Sequence, residues 1–253
     1  MNFTKYTIAA LTGAMMTMAA PGQAAVYRIA IAGTITEGED PYGFFGSPLS
    51  DLTGYTYKSV YHLTDPLPGT YFYDTGTQYY IEGGNYNSTP SPVSATVKIN
   101  DSLKRISGNF GSSVNKSYQF AGWRGTISIS TEESNEYYPR WDDLWLYEGI
   151  ASRTAAFNWP TNSQKFSYDV ENENEAYGQL FFAAYNTLSN QYSYLVYAAL
   201  NPQRITISKI SDGSAAPEPS TWSLLILGFG GIGAAMRRRA SAGRVTARVS
   251  YSG

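Results

Sequence analysis

Val93-Ser94-Ala95-Thr96-Val97-Lys98-Ile99 alternates apolar and polar residues without a break, and Asn100-Asp101-Ser102 follows before Leu103 opens a new run. Side chains of an extended strand point to opposite faces in turn, so this stretch reads as a half-buried strand with Val93, Ala95, Val97 and Ile99 inward. Asn, Asp and Ser tolerate tight turns, which makes the next three residues a hairpin between Ile99 and Leu103. The same period of two recurs on both sides. Tyr27, Ile29, Ile31 and Ile35 alternate with Arg28, Ala30, Ala32 and Thr34, and Tyr55, Tyr57, Tyr61 and Leu63 alternate with Thr56, Lys58 and His62. Further strands are predicted over 79–82, 103–108, 125–131, 144–148, 166–170, 178–185, 192–200 and 204–210, with a second hairpin loop at 186–191. Gly, Asn, Asp, Ser and Pro clusters punctuate them. Some ten short strands at this spacing predict an all-β fold: one antiparallel β-sandwich or jelly-roll-like domain over 25–210.

The two ends of the chain read differently from this middle. Residues 1–24 have the form of a secretory signal peptide helix: Lys5 as the positive region, a mostly apolar stretch over 6–20, Pro21, then the small residues Gly22 and Ala24. Signal peptidase is expected to cut after Ala24. The chain has no cysteine, so an exported domain must rely on its core rather than on disulfides, and a thiol nucleophile or thiolate metal site is excluded. Of its 18 basic residues, six (Lys5, Arg237, Arg238, Arg239, Arg244 and Arg248) lie outside 25–216, and of its 20 acidic residues only Glu218 does, which leaves that region at about −7. Such a surface is unsuited to nucleic acid or an anionic membrane and suits neutral glycans, or anionic polymers bridged by a cation.

After a small polar linker over 211–216 comes Pro217-Glu218-Pro219-Ser220-Thr221, then an apolar run over 222–236, then Arg237-Arg238-Arg239. As a helix the run spans roughly 22 Å at about 1.5 Å per residue, short of the ~30 Å hydrocarbon core. Gly228, Gly230, Gly231 and Gly233 weaken it further. A short transmembrane helix after a polar spacer has the physics of a temporary anchor, with the arginines held on the cytoplasmic side. The order Pro-Glu-Pro, short apolar helix, arginine cluster over 217–239 resembles the PEP-CTERM sorting tail of Gram-negative bacteria. That resemblance implies exosortase as a processing partner, Pro217, Glu218 and Pro219 as the recognition segment, and Arg237, Arg238 and Arg239 as the orienting charges. It further implies delivery through the inner membrane to the cell surface or extracellular matrix, in connection with exopolysaccharide and biofilm. Residues 240–253 continue as a basic cytoplasmic extension.

Candidate chemistry in the middle is sparse. Trp123, Trp141, Trp145 and Trp159 are candidate sugar-stacking residues, with Trp141 and Trp145 on one face if the chain is extended between them. Glu132/Glu133 and Asp142/Asp143 are adjacent pairs that a strand sends to opposite faces, which makes them poor glycosidase dyads. Asp169, Glu171, Glu173 and Glu175 share one side of an extended chain and form a calcium candidate, against a solvated acidic loop as the alternative. His62 is the sole histidine, and no serine sits in a Gly-x-Ser-x-Gly elbow. Asn87-Ser88-Thr89 and Asn115-Lys116-Ser117 match the N-glycosylation pattern. No cofactor and no catalytic residue is expected. The sequence points to a structural or adhesive surface protein; a carbohydrate-binding module with an aromatic platform is the alternative, and a jelly-roll polysaccharide-degrading enzyme using carboxylates between Asp142 and Glu175 is a third reading.

Overall fold

The computed structural model describes residues 24–211 except 121, 138–139, 162–163 and 173–174. The expected signal peptide up to residue 23, the linker beyond 211, Pro217-Glu218-Pro219, the apolar run, Arg237–239 and the 240–253 extension lie outside the described residues.

The period-two alternation becomes thirteen strands: β1 (Ala25–Asp40), β2 (Ser50–Asp51), β3 (Thr56–Asp65), β4 (Tyr71–Asp74), β5 (Gln78–Gly83), β6 (Val93–Ile99), β7 (Ser102–Ile106), β8 (Gly111–Phe120), β9 (Trp123–Tyr137), β10 (Arg140–Ser152), β11 (Lys165–Asp169), β12 (Ala176–Asn186) and β13 (Gln191–Ser211). Among the described residues helical backbone is limited to a 3-10 turn at Asn85–Asn87 and to Glu175 just before β12. The hairpin at Asn100-Asp101 forms as read, Ile99 pairing with Ser102 and Asn100 taking a left-handed backbone at φ 52°. The second joins Asn186 to Gln191.

Every strand pairing is antiparallel, in the order β4-β5-β8-β9-β10-β12-β13-β1-β3-β6-β7, with β11 added to β13 and β2 to β1. A sandwich would use two separate sheets. Here hydrogen bonding runs unbroken from β4 to β7, and the single sheet curls until β6 and β7 lie against β8, β9 and β10. Both layers of the core are therefore made by one sheet. At the seam side chains join what strand ladders do not: the Ser107 N–H donates to Glu133 Oε2 at 2.7 Å, and Asn109 both donates to the Ser134 carbonyl and accepts from its N–H at 3.1 Å.

Curling demands bulges, which shorten one strand against its partner and add local twist. β1 and β13 shift register at three places. One lies between Ala32, opposite Arg204, and Gly33, opposite Pro202. A Cβ built on Gly33 would stand 2.0 Å from the Asn201 carbonyl oxygen, so only glycine fits this close approach. Pro202 lacks an N–H and sits at that irregularity. Pro202 led the sequence reading to two strands, 192–200 and 204–210; they are one strand, because the bulge absorbs the proline. β8 and β4 went unread. In β8 only Val114 marks the inner face with an aliphatic side chain, since Ser112 and Lys116 fill the other inward positions. Trp123 begins β9, ahead of the strand predicted from residue 125.

The core collects Ile29, Ile31 and Ile35 from β1, Ile205 beside them on β13, Tyr57, Tyr61 and Leu63 from β3, Val97 and Ile99 from β6, and Leu146 and Leu180 from β10 and β12. A fully buried carboxyl stands among them. Glu148 on β10 accepts from Tyr57 Oη at 2.8 Å, from Tyr61 Oη at 2.6 Å and from Ser59 Oγ, tying β10 to β3 across the interior. Burial pushes the Glu148 carboxyl above its ordinary value, and the three hydroxyl donors pull it part of the way back.

Candidate functional site

With the inner face filled, the outer face of β8, β9, β10 and β12 is where the sequence-predicted aromatics can meet a ligand. β10 turns Leu144, Leu146 and Glu148 inward, so Trp141, Trp145 and Tyr147 face outward. Register sets their neighbours: Trp145 stands opposite Glu132 on β9 and Phe181 on β12, and Tyr147 stands opposite Ser130. The Trp145 ring lies 5.8 Å from Tyr147 at an interplanar angle of 13° and 4.9 Å from Phe181. Tyr147 continues to Tyr177, 5.5 Å between ring centres and 2.6 Å between hydroxyls. Trp141 donates its indole N–H to Ser134 Oγ and meets Phe110 edge-on at 6.5 Å. Trp141 and Trp145 thus share a face, as their spacing predicted.

One position shapes this surface more than its neighbours. Gly149 on β10 pairs with Tyr177 on β12, and a Cβ there would come within 3.0 to 3.3 Å of three atoms of the Tyr177 ring. The missing side chain lets the tyrosine lie over the sheet, where it remains 59% exposed. Beside it opens a groove of about 450 Å³. Its floor is polar, with Gln78, Asn115, Ser117, Thr126 and Ser128 from β5, β8 and β9, and Trp123 and Tyr177 are its two aromatic rings. Ser117 and Thr126 share a hydroxyl hydrogen bond of 2.6 Å.

The strand end next to the groove is fixed by local chemistry. Ser152 Oγ, fully buried, accepts the backbone N–H groups of Thr154 at 3.1 Å and Ala155 at 2.8 Å, which turns the chain immediately after β10. Arg153 then reaches over the Trp123 ring, 4.8 Å from its centre, and stands 3.8 Å from Glu175 Oε1. Glu175 lines the groove just before β12, and its buried Oε2 has no hydrogen-bond partner. A smaller depression of about 250 Å³ lies further along the same face, lined by Trp145, Glu132, Glu82 and Tyr86.

Trp159 does not belong with the other tryptophans. It packs against the core, stacked on Tyr27 at 4.8 Å and edge-on to Tyr79 at 5.4 Å. The Lys116 ammonium stands 3.6 Å from its ring centre and donates to Tyr118 Oη at 2.9 Å. Burial drops the Lys116 ammonium to about 7, against the opposing pull of Asp65 and Asp74.

The acidic run is dispersed rather than gathered. Asp169 holds Arg204 through two contacts, 2.5 and 3.1 Å, and Glu171 accepts from Thr154 Oγ1 at 2.7 Å. Glu175 faces Arg153, and Glu173 lies outside the described residues. No three His, Cys, Asp or Glu side chains gather around a common point among the described residues. His62 is exposed on β3; partial burial, then Arg28 and Arg105, hold its imidazole below the ordinary value. Of the two glycosylation-type asparagines, Asn87 lies in the exposed 3-10 turn and Asn115 in the groove floor. Tyr177 and Gly149 were missed because they come from neighbouring strands with no motif between them, and Glu175, read as a calcium candidate, stands in the groove beside them.

Comparison with known proteins assigns the tail. Residues 215–239 match the PEP-CTERM protein-sorting motif. That motif implies a protein handled by an exosortase and exported to the cell envelope of a Gram-negative bacterium. No curated protein and no solved structure matches the chain.

Proposed function

We propose that the protein is a cell-surface or matrix component with a structural or adhesive role, which touches exopolysaccharide through the outer face of its curled sheet. The apolar run over 222–236 holds it during sorting, Arg237–239 orient it, and cleavage near Pro217-Glu218-Pro219 releases it. The observation that carries the sugar contact is the clustering of Trp123, Trp145, Tyr147 and Tyr177 among hydroxyl and amide side chains on one exposed face. Aromatic faces stack on sugar rings while flanking polar groups fix the orientation. An acidic middle region of about −7 favours neutral polymers over anionic ones.

Binding suits the groove better than hydrolysis. Among the described residues Glu175 is the one carboxylate lining it, whereas the two-carboxylate mechanism needs a second about 5–9.5 Å away. The test is native electrophoresis of the full chain in a polyoxyethylene detergent, in gels cast with and without a panel of polysaccharides. Retardation by at least one polymer, weakened by Trp145→Ala, supports the proposal; unchanged migration in every gel overturns it. New reducing ends released from a retarding polymer would replace the binding reading with the enzymatic one.

A further inference from the structure

Glu175 lines the same groove as Trp123 and Tyr177, and its Oε2 is buried with no hydrogen-bond partner. Its other oxygen stands 3.8 Å from the Arg153 guanidinium, beyond hydrogen-bond range. Buried acceptors normally have donors, so an unpaired one on a residue that lines a groove marks a carboxyl that a ligand donor can engage once it turns. The surroundings limit what that ligand is. Asn115, Gln78 and the Ser117, Thr126 and Ser128 hydroxyls offer both donors and acceptors but no charge. Of the arginines beside it, Arg153 is engaged by the Trp123 ring and by Glu175, and Arg124 donates to the Thr154 carbonyl at 3.4 Å. A carboxylate or sulfate on the ligand would meet the like charge of the Glu175 carboxylate. Tyr177, laid over Gly149, adds an exposed aromatic ring beside this polar floor. The 450 Å³ volume falls in the range of small-ligand sites.

We infer that this groove is a subsite for a short stretch of neutral glycan, with Trp123 and Tyr177 contacting sugar rings and Glu175 Oε2 accepting a sugar hydroxyl. This rests on the reading of the chain as a polysaccharide-contacting surface protein, and it specifies the subsite and the ligand class. From Thr126 to Glu132 the outer face of β9 extends about 20 Å at ~3.4 Å per residue. A longer chain therefore leaves the groove across Tyr147 toward Trp145, while a short oligosaccharide stays within it.

Calorimetric titration of the full chain, in polyoxyethylene rather than glycoside detergent, tests the inference. The probes are neutral hexose and N-acetylhexosamine tetrasaccharides, with uronic-acid and free-amine tetrasaccharides as charged controls. At least one neutral tetrasaccharide is expected to bind, about tenfold weaker in Trp123→Ala and largely recovered in Trp123→Phe. Glu175→Leu is expected to lose about tenfold and Glu175→Gln less than about threefold, because an amide still pairs with a hydroxyl. His62→Ala, exposed on β3 and outside the groove lining, stays within about threefold. Thermal melts of each variant separate lost binding from lost folding. Neutral probes that bind Trp123→Ala and Glu175→Leu as they bind the parent overturn the inference, as does preference for either charged probe. So does retardation by polymers with no binding of any short probe, which leaves the broader surface reading intact. Absence of both polymer and oligosaccharide binding removes both.

Discussion

Replacing Glu148 by Leu should cost more than removing any one of its partners. Glu148 is the shared acceptor for Tyr57, Tyr61 and Ser59, all buried. Leucine keeps most of the volume but leaves the donors without an acceptor. Ser59 can turn toward the Ile31 carbonyl, 3.5 Å away, whereas the two tyrosine hydroxyls donate to Glu148. A buried donor left unmade costs about 1–3 kcal/mol, so the two tyrosines together give about 2–6 kcal/mol. Adding Tyr57→Phe and Tyr61→Phe to Glu148→Leu removes the orphaned hydroxyls and should bring stability back to within about 2 kcal/mol of the parent, since replacing a whole buried polar network is far less costly than breaking it. The assay is urea unfolding of the full chain at pH 7, followed by tryptophan fluorescence. Glu148→Leu costing under about 1 kcal/mol, or a triple variant weaker than the single one, would refute the shared-acceptor account.

The remaining expectations are briefer. Lys116 is held at about 7 in the fold against 10.5 for the ordinary group. A depressed folded value means its contribution to stability is fully present above about 10.5 and lost as pH falls through 7. Stability should therefore rise between about pH 7 and 9, with the slope reduced in Lys116→Met; equal slopes would contradict the assignment. Glu148 has the opposite sign: its raised value favours folding most below about 4.5 and less as pH climbs, and Glu148→Gln should flatten the acid limb of the same melts. Gly33→Ala should destabilise by about 3 kcal/mol, because its Cβ would meet the Asn201 carbonyl at 2.0 Å; a neutral result in urea would mean the bulge relaxes freely. Trp159→Ala should cost about 3–5 kcal/mol yet leave oligosaccharide affinity unchanged wherever the protein remains folded.

The tail was legible because its signal is contiguous: spacer, apolar run and arginines stand in order, and the sorting-motif match falls on the same residues. The strands were legible where aliphatic and aromatic side chains alone fill the inner face, as in β1 and β6. They faded where the inner face is polar. Ser59, Lys116 and Glu148 are buried, but their partners come from distant strands, Tyr57 and Tyr61 standing 91 and 87 residues from Glu148. No local pattern announces such a contact. Pro202 misled for a related reason: its tolerance depends on Gly33, on the other side of a bulge. The site divides in the same way. Trp141 and Trp145 could be placed on one face from spacing within a single strand. The groove could not, because Gln78, Asn115, Thr126, Gly149 and Tyr177 meet only through the register of five strands.

The most direct test of the account is the location and intact mass of the protein, made as the full chain in a host with and without an active exosortase. The account requires release from the inner membrane, and a mass ending within 217–220, only when exosortase is active. Retention in the inner membrane with residues 222–253 intact in both hosts would contradict it.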